Sequence, residues 1–423
     1  MENNIIKYIT EEDINLILLK CEYPSDVIVE NYDVCNASKY MMGFLGDYWK
    51  LKIRIAIKND ENIVRKTLNF FIKAISKSNL SKAEVVREMK LFEKELCFYS
   101  VIKMNINLPD MKPWSARLIT PLNEALVFED LTSLQYETRN KFTRFDKDHM
   151  LQALKTLARF HASSIIFEEN KSQRLQRSYK INDEYSHLLD EGGYHKSEPW
   201  FIQCMNGALE TITAYSKYST NEKIMNLIKL HWNNVWYSAL ELSNMSSEYR
   251  NVICHRDLWN NNILFHYKKV GETLKPDDCM IVDFQAVRYQ PPAGDVMVLL
   301  YCNLDPKFRE ENLNLFLDYY HKELELILIK YGIKIEDVIN KEDFLNSAEC
   351  QRKWGLIVCA CLIPQIWIDD ELITKIFCDT TQFDKVLTKD KGTFIKHMVK
   401  TNQDYRENIM LIFDEIIERY ILC

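Results

Sequence analysis

Between Trp49 and Ile55 apolar and polar residues alternate strictly, Trp49-Lys50-Leu51-Lys52-Ile53-Arg54-Ile55, the period of a half-buried strand. A second strand-like run, Asn69-Phe70-Phe71-Ile72-Lys73-Ala74-Ile75, is apolar except for one lysine. The period then changes. Val85, Met89, Phe92, Leu96 and Tyr99 recur at helical spacing behind Ser81-Lys82-Ala83-Glu84, which has the form of a capping box. Read in this way, the chain opens with a helix over 11–22, strands near 26–35, 47–58 and 68–75, a helix over 81–101 and a hairpin over 115–128. Helical spacing dominates afterwards, over 146–166, 199–217, 222–243, 308–331 (stopped by Gly332), 341–370 and 392–421. With 423 residues, the chain suits two lobes rather than one core. Its hydrophobic content of 47% is ample for burial, and ten glycines in all suit a helix-rich protein.

One polar stretch interrupts this pattern with chemistry. His255-Arg256-Asp257-Leu258-Trp259-Asn260-Asn261-Asn262 has the form H-R-D-L-x-x-x-N, the catalytic loop of phosphotransferases built on the protein-kinase fold. Taken alone, it also reads as a polar turn before a strand. A second element changes the weighing. Ile263-Leu264-Phe265-His266, a turn region over Val270 to Asp278, and Cys279-Met280-Ile281-Val282 read as a hairpin ending in Asp283-Phe284. Such a hairpin sets Asn262 and Asp283 side by side at its open end. Transfer of a phosphoryl group from ATP needs metal to neutralise the phosphates and a base to take the acceptor proton. The expected roles are Asp257 as catalytic base, and Asn262 and Asp283 as magnesium ligands.

Lys73 stands in the V-A-I-K pattern written in other letters. An ammonium on an apolar strand is costly to bury alone, so it calls for a carboxylate; the alternative is a snorkelling surface lysine. Glu88 and Glu95 on the following helix are the two possibilities, and Glu95, beside Phe92 and Tyr99 on the apolar seam, is preferred. No G-x-G-x-x-G exists. The nearest approach to a phosphate-covering loop is Met42-Gly43-Phe44-Leu45-Gly46, and Gly43 and Gly46 fit an ordinary hairpin equally well.

Beyond these motifs the chain resembles the insect ecdysteroid kinase-like proteins, in the choline-kinase and aminoglycoside-phosphotransferase-like branch of the kinase fold. The resemblance rests on Ala125-Leu126-Val127-Phe128-Glu129-Asp130-Leu131, Leu157-Ala158-Arg159-Phe160-His161-Ala162, the Asp257 loop, Val282-Asp283-Phe284-Gln285-x-x-Arg288-Tyr289 and Asp295 after Pro291-Pro292. Gln285, at the third position after Val282, agrees with that family. The resemblance implies an α+β, two-lobed protein-kinase-like fold: a small antiparallel-sheet lobe over 1–128 and a large helical lobe over 129–423. It also implies a hinge at Glu129 to Thr132, with Glu129 and Leu131 at the nucleotide together with Lys73, Glu95, Gly43 and Gly46. ATP and Mg2+ are the implied cofactors.

The acceptor class follows from spacing. Only eleven residues separate Asp283 from Asp295, and no Ala-Pro-Glu occurs, so the segment that docks peptides in protein kinases has no room. A small molecule enclosed by helices is the expected acceptor. By resemblance, it is an ecdysteroid or another lipophilic alcohol such as a xenobiotic. The other class of function is a catalytically silent relative that only binds such a ligand; intact Lys73, Asp257, Asn262 and Asp283 favour the enzyme. A net charge of −7 without a basic block speaks against nucleic acid. Leu356 to Ile368 is too short to span a bilayer. Met1-Glu2-Asn3-Asn4 lacks the order of a signal peptide, and the twelve cysteines lack a C-x-x-C pair, so a reduced, cytoplasmic protein is expected. Cys359-Ala360-Cys361 reads as core packing, and His161 as a satisfied core histidine. Trp200, Trp232, Trp236, Tyr237, Trp354 and Trp367 at helical spacing read as core, with some of them bordering the acceptor.

Overall fold

The residues that alternate in sequence form a five-stranded antiparallel sheet in the computed structural model, which describes residues 9–40, 42–59 and 62–423. The start Met1–Asn4 lies outside them. Its strands are β1 (Ile28–Asn36), β2 (Gly46–Asn59), β3 (Asn62–Ile75), β4 (Leu118–Leu122) and β5 (Ala125–Glu129), in the spatial order β1-β2-β3-β5-β4. Leu51, Ile53 and Ile55 of β2 bury one face together with Phe70, Ile72 and Val127. The N-terminal helix α1 (Glu11–Lys20) covers that face with Ile14, Ile17 and Leu18, and is held at its start by a capping box between Thr10 and Asp13. Each such fully buried aliphatic side chain contributes about 1.5–3 kcal/mol.

The helix expected over 81–101 is instead interrupted. It starts at Leu80, because Asn79 rather than Ser81 is the cap: the Asn79 side chain accepts from the Lys82 N–H at 3.2 Å. The first piece, α2 (Leu80–Glu88), ends where Lys90 takes a left-handed backbone, φ 53°. The chain resumes as α3 (Leu91–Cys97), a wider π turn over Phe98–Ile102 and the short α4 (Lys103–Ile106). The apolar seam keeps its period across the break, so the pattern could not reveal it.

Behind the sheet lies the helical part. Its helices are α5 (Lys147–Leu175), α6 (Ile181–Tyr185), α7 (Pro199–Tyr215), α8 (Glu222–Leu242), α9 (Pro292–Asn303), α10 (Pro306–Lys330) and α11 (Lys341–Ile366). They are followed by α12 (Asp370–Cys378), α13 (Thr380–Asp384), α14 (Lys391–Thr401) and α15 (Gln403–Tyr420). α5 runs nine residues beyond the expected 166, because its polar end is packed: Glu168 is buried against Arg250 at 2.8 Å and the Tyr289 hydroxyl at 2.8 Å. The helix expected over 341–370 stops at Ile366, before a new one capped by Asp369, and the single helix expected over 392–421 is split by a cap at Asn402. Every residue of α9 is buried, and α11 packs against it through Gly355, where a Cβ would sit 2.8 Å from the Met297 carbonyl carbon.

Short strands carry the chemistry. β6 (Tyr136–Thr138), β8 (Ile263–Val270) and β9 (Thr273–Ile281) form one small sheet, and β7 (Val252–Cys254) pairs with β10 (Arg288–Gln290). The expected β8–β9 hairpin exists, with a shorter turn than the sequence reading gave: two residues, Gly271 and Glu272, with Gly271 at φ +61°. A five-stranded antiparallel sheet in front of a large helical part is the α+β, two-lobed protein-kinase-like architecture. Among the described residues no helix is long and apolar enough to cross a membrane.

Candidate active site

The open end of the β8–β9 hairpin is the centre of the site. Ile263 pairs with Ile281, and the Val282 N–H donates to the Asn262 carbonyl at 3.0 Å, so Asn262 and Asp283 emerge side by side. The Asn262 Nδ2 donates to the Asp257 carbonyl at 2.8 Å and to Asp257 Oδ2 at 3.0 Å. The loop of six residues is thereby closed on itself. Asp257 Oδ1 is buried and makes no hydrogen bond among the described residues. Burial, with the charge of Asp283 adding to it, pushes the Asp257 carboxyl up to about 7. That is the range in which a carboxylate can take a proton near neutral pH.

His255 ties the two halves together. Its Nε2 donates to the Val282 carbonyl at 2.9 Å, and its Nδ1 accepts from the Asp257 N–H at 3.2 Å, which sets a neutral tautomer. Burial lowers its pKa, in keeping with that form. Arg256 and Asp283 both have left-handed backbones, φ 72° and 71°, a conformation that L-residues adopt rarely and at a cost of order 1–3 kcal/mol. Buried Asp295 holds the first of them, accepting from the His255 N–H at 2.6 Å and the Arg256 N–H at 2.8 Å. His161 in turn contacts Asp295 at 3.2 Å and the Tyr320 hydroxyl at 2.7 Å, both inside the core. Phe284 is enclosed by five rings: it stacks on Phe98 (centroids 4.4 Å, 6° apart) and is ringed by Tyr99, Trp114, Phe160 and His255.

Lys73 enters from β3. Its Nζ lies 2.5 Å from Glu95 Oε2 and 2.7 Å from Asp283 Oδ1, with Gln285 Oε1 at 3.4 Å. Burial alone would lower the Lys73 pKa, but the two carboxylates push it well above its ordinary value. Glu95 is buried and Glu88 is exposed, so the structure takes the partner preferred from sequence.

Two cavities meet here. The first is lined by Lys73, Glu95, Phe128, Glu129, Leu131 and Leu264 among others. The second holds Asp257, Arg256, Glu191, Trp259, Trp200 and Gln365. Gly43, Tyr48, Asn262 and Asp283 line both. Gly43 lies at this junction, whereas Gly46 lines neither cavity and stands at the start of β2 beside the Tyr48 ring; both lack room for a side chain, since a Cβ on Gly43 would run into the Tyr48 hydroxyl and one on Gly46 would sit 3.3 Å from the Ala74 carbonyl. At the expected hinge, the Glu129 carboxylate accepts from the Arg117 N–H at 2.7 Å, while Asp130 caps a short turn over Leu131–Leu134.

The donor set suits a hard divalent cation. Asn262 commits its Nδ2 to Asp257, which leaves its amide oxygen without a partner among the described residues. Asp283 adds a carboxylate beside it, and oxygen ligands of this kind are what magnesium takes.

A family model described as the ecdysteroid kinase-like family matches residues 43–333. The chain belongs to that family. Membership in the ecdysteroid kinase-like family makes a small-molecule, kinase-like phosphotransferase the supported class. A curated relative, the Uncharacterized oxidoreductase dhs-27 of Caenorhabditis elegans, is 26% identical over 131 residues, 29% of this chain and 16% of that protein. The chain thus spans about a sixth of the length of that relative. Among solved structures, the GDP complex of wild-type aminoglycoside 2'-phosphotransferase-IIIa is similar at 9% identity and a TM-score of 0.34, covering 98% of this chain and 99% of that one. At that score the overlay decides nothing; the chain's own elements and its family carry the fold.

Several residues of the site were not read from sequence. Tyr48 stands on the polar face of β2 in line with Lys50 and Lys52, and an aromatic ring on that face was the available signal. Glu191 precedes the doublet Gly192-Gly193 in a chain with ten glycines. Among the aromatics, Trp232, Trp236 and Trp354 are core, whereas Trp200 and Trp259 border the second cavity.

Proposed function

We propose that this protein is an ATP-dependent, magnesium-dependent kinase for the hydroxyl of a small, apolar molecule. The observation that carries this reading is the meeting of the two cavities at Gly43, Tyr48, Asn262 and Asp283, with Lys73 and Glu95 on one side and Asp257 on the other. The first cavity suits the nucleotide: Leu131, Phe128 and Leu264 offer apolar surface for a base, and Lys73 can reach phosphate oxygens at the junction. The second suits the acceptor, since most of its surface is apolar and it contains Asp257 Oδ1, a buried carboxylate oxygen with no hydrogen bond among the described residues.

In this mechanism the acceptor hydroxyl sits against Asp257 Oδ1. As its oxygen forms a bond to the γ-phosphorus and the bond to the departing ADP breaks, the hydroxyl proton passes to Asp257. Asn262 keeps that carboxylate in place through its two hydrogen bonds. Asn262 and Asp283 would hold magnesium, which when bound neutralises phosphate charge. Lys73, kept charged by Glu95 and Asp283, orients the phosphates. The family's name makes ecdysteroids the first acceptors to try, and other lipophilic alcohols of plant or xenobiotic origin the next.

The test is direct. Purified protein is incubated with radiolabelled ATP, magnesium and a panel of steroid, phenolic and glycoside alcohols. Label should move to at least one lipophilic alcohol, and Asp257→Asn should slow the transfer by orders of magnitude. Protein that binds MgATP yet labels no alcohol in the panel would leave the silent-binder reading in its place.

A further inference from the structure

The far wall of the acceptor cavity contains a side chain whose orientation is unusually well determined. Gln365, near the end of α11 and 5% exposed, borders the cavity together with Trp200, Leu362 and Leu387. Its Oε1 receives two hydrogen bonds, one from Trp200 Nε1 at 3.1 Å and one from Lys391 Nζ at 2.7 Å. An indole N–H and a lysine ammonium are donors only, so the atom they share must be the amide oxygen. The two-fold ambiguity of a glutamine amide is therefore resolved by its neighbours. The remaining atom, Nε2, has two N–H groups and makes no hydrogen bond among the described residues.

These partners are themselves fixed. Lys391 is buried, 1% exposed, and also lies 3.1 Å from the Cys204 sulfur and over the Trp200 ring. Next to Gln365, the Pro364 carbonyl accepts from the Tyr405 hydroxyl at 2.7 Å, which anchors this turn of α11. An amide whose oxygen is bonded to an ammonium is polarised, and its N–H groups become stronger donors. A buried, preorganised donor in a largely apolar cavity discriminates strongly for ligands that can satisfy it, because leaving it unpaired is costly.

We propose that Gln365 is a specificity-determining residue of the acceptor cavity, and that its Nε2 binds a second oxygen of the acceptor. The acceptor is then an apolar molecule with the hydroxyl to be phosphorylated and, at a distance from it, a carbonyl oxygen. This proposal rests on the reading of the cavity as the acceptor site. It goes further by naming which end of the molecule is recognised, and by which atom.

The experiment uses full-length protein with magnesium and a non-hydrolysable ATP analogue. Two series of probes are titrated against intrinsic tryptophan fluorescence, to which Trp200 and Trp259 contribute from the cavity wall. One series is ω-hydroxyalkan-2-ones of graded chain length; the other is the matched 1-alkanols. At the chain length that spans the cavity, the hydroxyketone should bind about tenfold more tightly than the alkanol. Gln365→Glu preserves the shape and the oxygen that faces Trp200 and Lys391, but replaces the N–H groups by an acceptor. It should reduce the preference to about twofold or less while alkanol binding persists, and Gln365→Leu should do the same. Equal binding of both series by the wild type, or a carbonyl preference retained in Gln365→Glu, overturns the role of Gln365 and leaves the cavity reading intact. If neither series binds at any length, the acceptor-cavity reading falls, and this proposal with it.

Discussion

Glu191 receives the Arg256 guanidinium at 2.8 and 3.2 Å and Arg288 at 2.5 Å, so the arginine of the catalytic loop is already neutralised from within the chain. In protein kinases the arginine of this motif often answers to a phosphorylated activation loop. Here a carboxylate stands in that role, and the left-handed backbone of Arg256 is held by Asp295. Protein made in bacteria should therefore be active with no kinase pretreatment. Glu191→Ala would leave the buried Arg256 without its carboxylate, while Arg288 keeps Ser243 and Asn244; breaking a buried pair costs about 3–5 kcal/mol. Chemical denaturation should register that loss, and a variant as stable as wild type would contradict it.

Asp257 and Asp283 should fail differently. Asp257→Asn removes the base and is expected to lower turnover by ~10²–10⁴-fold with ATP affinity nearly unchanged. Asp283→Asn should weaken binding of magnesium-nucleotide itself. Calorimetric titration of MgATP alongside initial rates separates the two, and unchanged binding and turnover in both variants would sink the assignment.

The Lys73–Glu95 pair yields a graded series. Lys73→Met should cut catalysis sharply without unfolding the protein, because β3 accepts an apolar side chain of similar length. Glu95→Gln should reproduce part of that loss. Glu88→Gln, at an exposed position, should be neutral. Rates and melting temperatures measured side by side check all three.

Gly43 and Tyr48 should be coupled. A methyl group at position 43 would be driven into the Tyr48 hydroxyl, so Gly43→Ala is expected to impair catalysis strongly. Tyr48→Leu in the same chain makes room and should recover part of the loss. A double-mutant cycle reads the coupling as a departure from additivity; additive effects would mean that the contact is relieved some other way.

Two buried histidines should withdraw stability as pH falls, well above the ordinary range of carboxylates. Burial lowers the pKa of His149 and of His321, whose Nε2 donates to the Ile339 carbonyl at 3.0 Å. Because the unfolded state takes up protons first, at about 6.5, this stability is full above that pH and is lost as pH falls below it. The raised Asp257 carboxyl acts with the opposite sign over the same range, so the histidine share is read as a difference between variants. His321→Gln, which keeps a donor for Ile339, should gain melting temperature relative to wild type between pH 7 and pH 5, and a constant difference would contradict it.

Much of the site could be read in the sequence because each part carries its own local reason. A lysine on an apolar strand needs a carboxylate, and the seam of Phe92 and Tyr99 decides for Glu95 over Glu88. A hairpin with Asn262 at one end and Asp283 at the other needs no long-range information. The break at Lys90 left no trace, since the apolar period of Val85, Met89 and Phe92 continues through it. Glu191 and Gln365 lay out of reach for another reason. Each acquires its meaning from a partner far along the chain, Arg256 at 65 residues and Trp200 at 165, and apart from the glycine doublet after Glu191 nothing local marks either as more than a polar residue.

The ring cage around Phe284 has a bearing on inhibitors. Compounds that silence a kinase-fold enzyme by swinging this phenylalanine outward must pull it from a flat stack on Phe98 and from four further rings. Each aromatic pair is worth about 0.5–1.5 kcal/mol beyond its buried area, so the outward state lies several kcal/mol uphill before any drug arrives. A selective ligand for this protein has more to gain from the cavity between Asp257 and Gln365, where protein kinases need an open peptide groove.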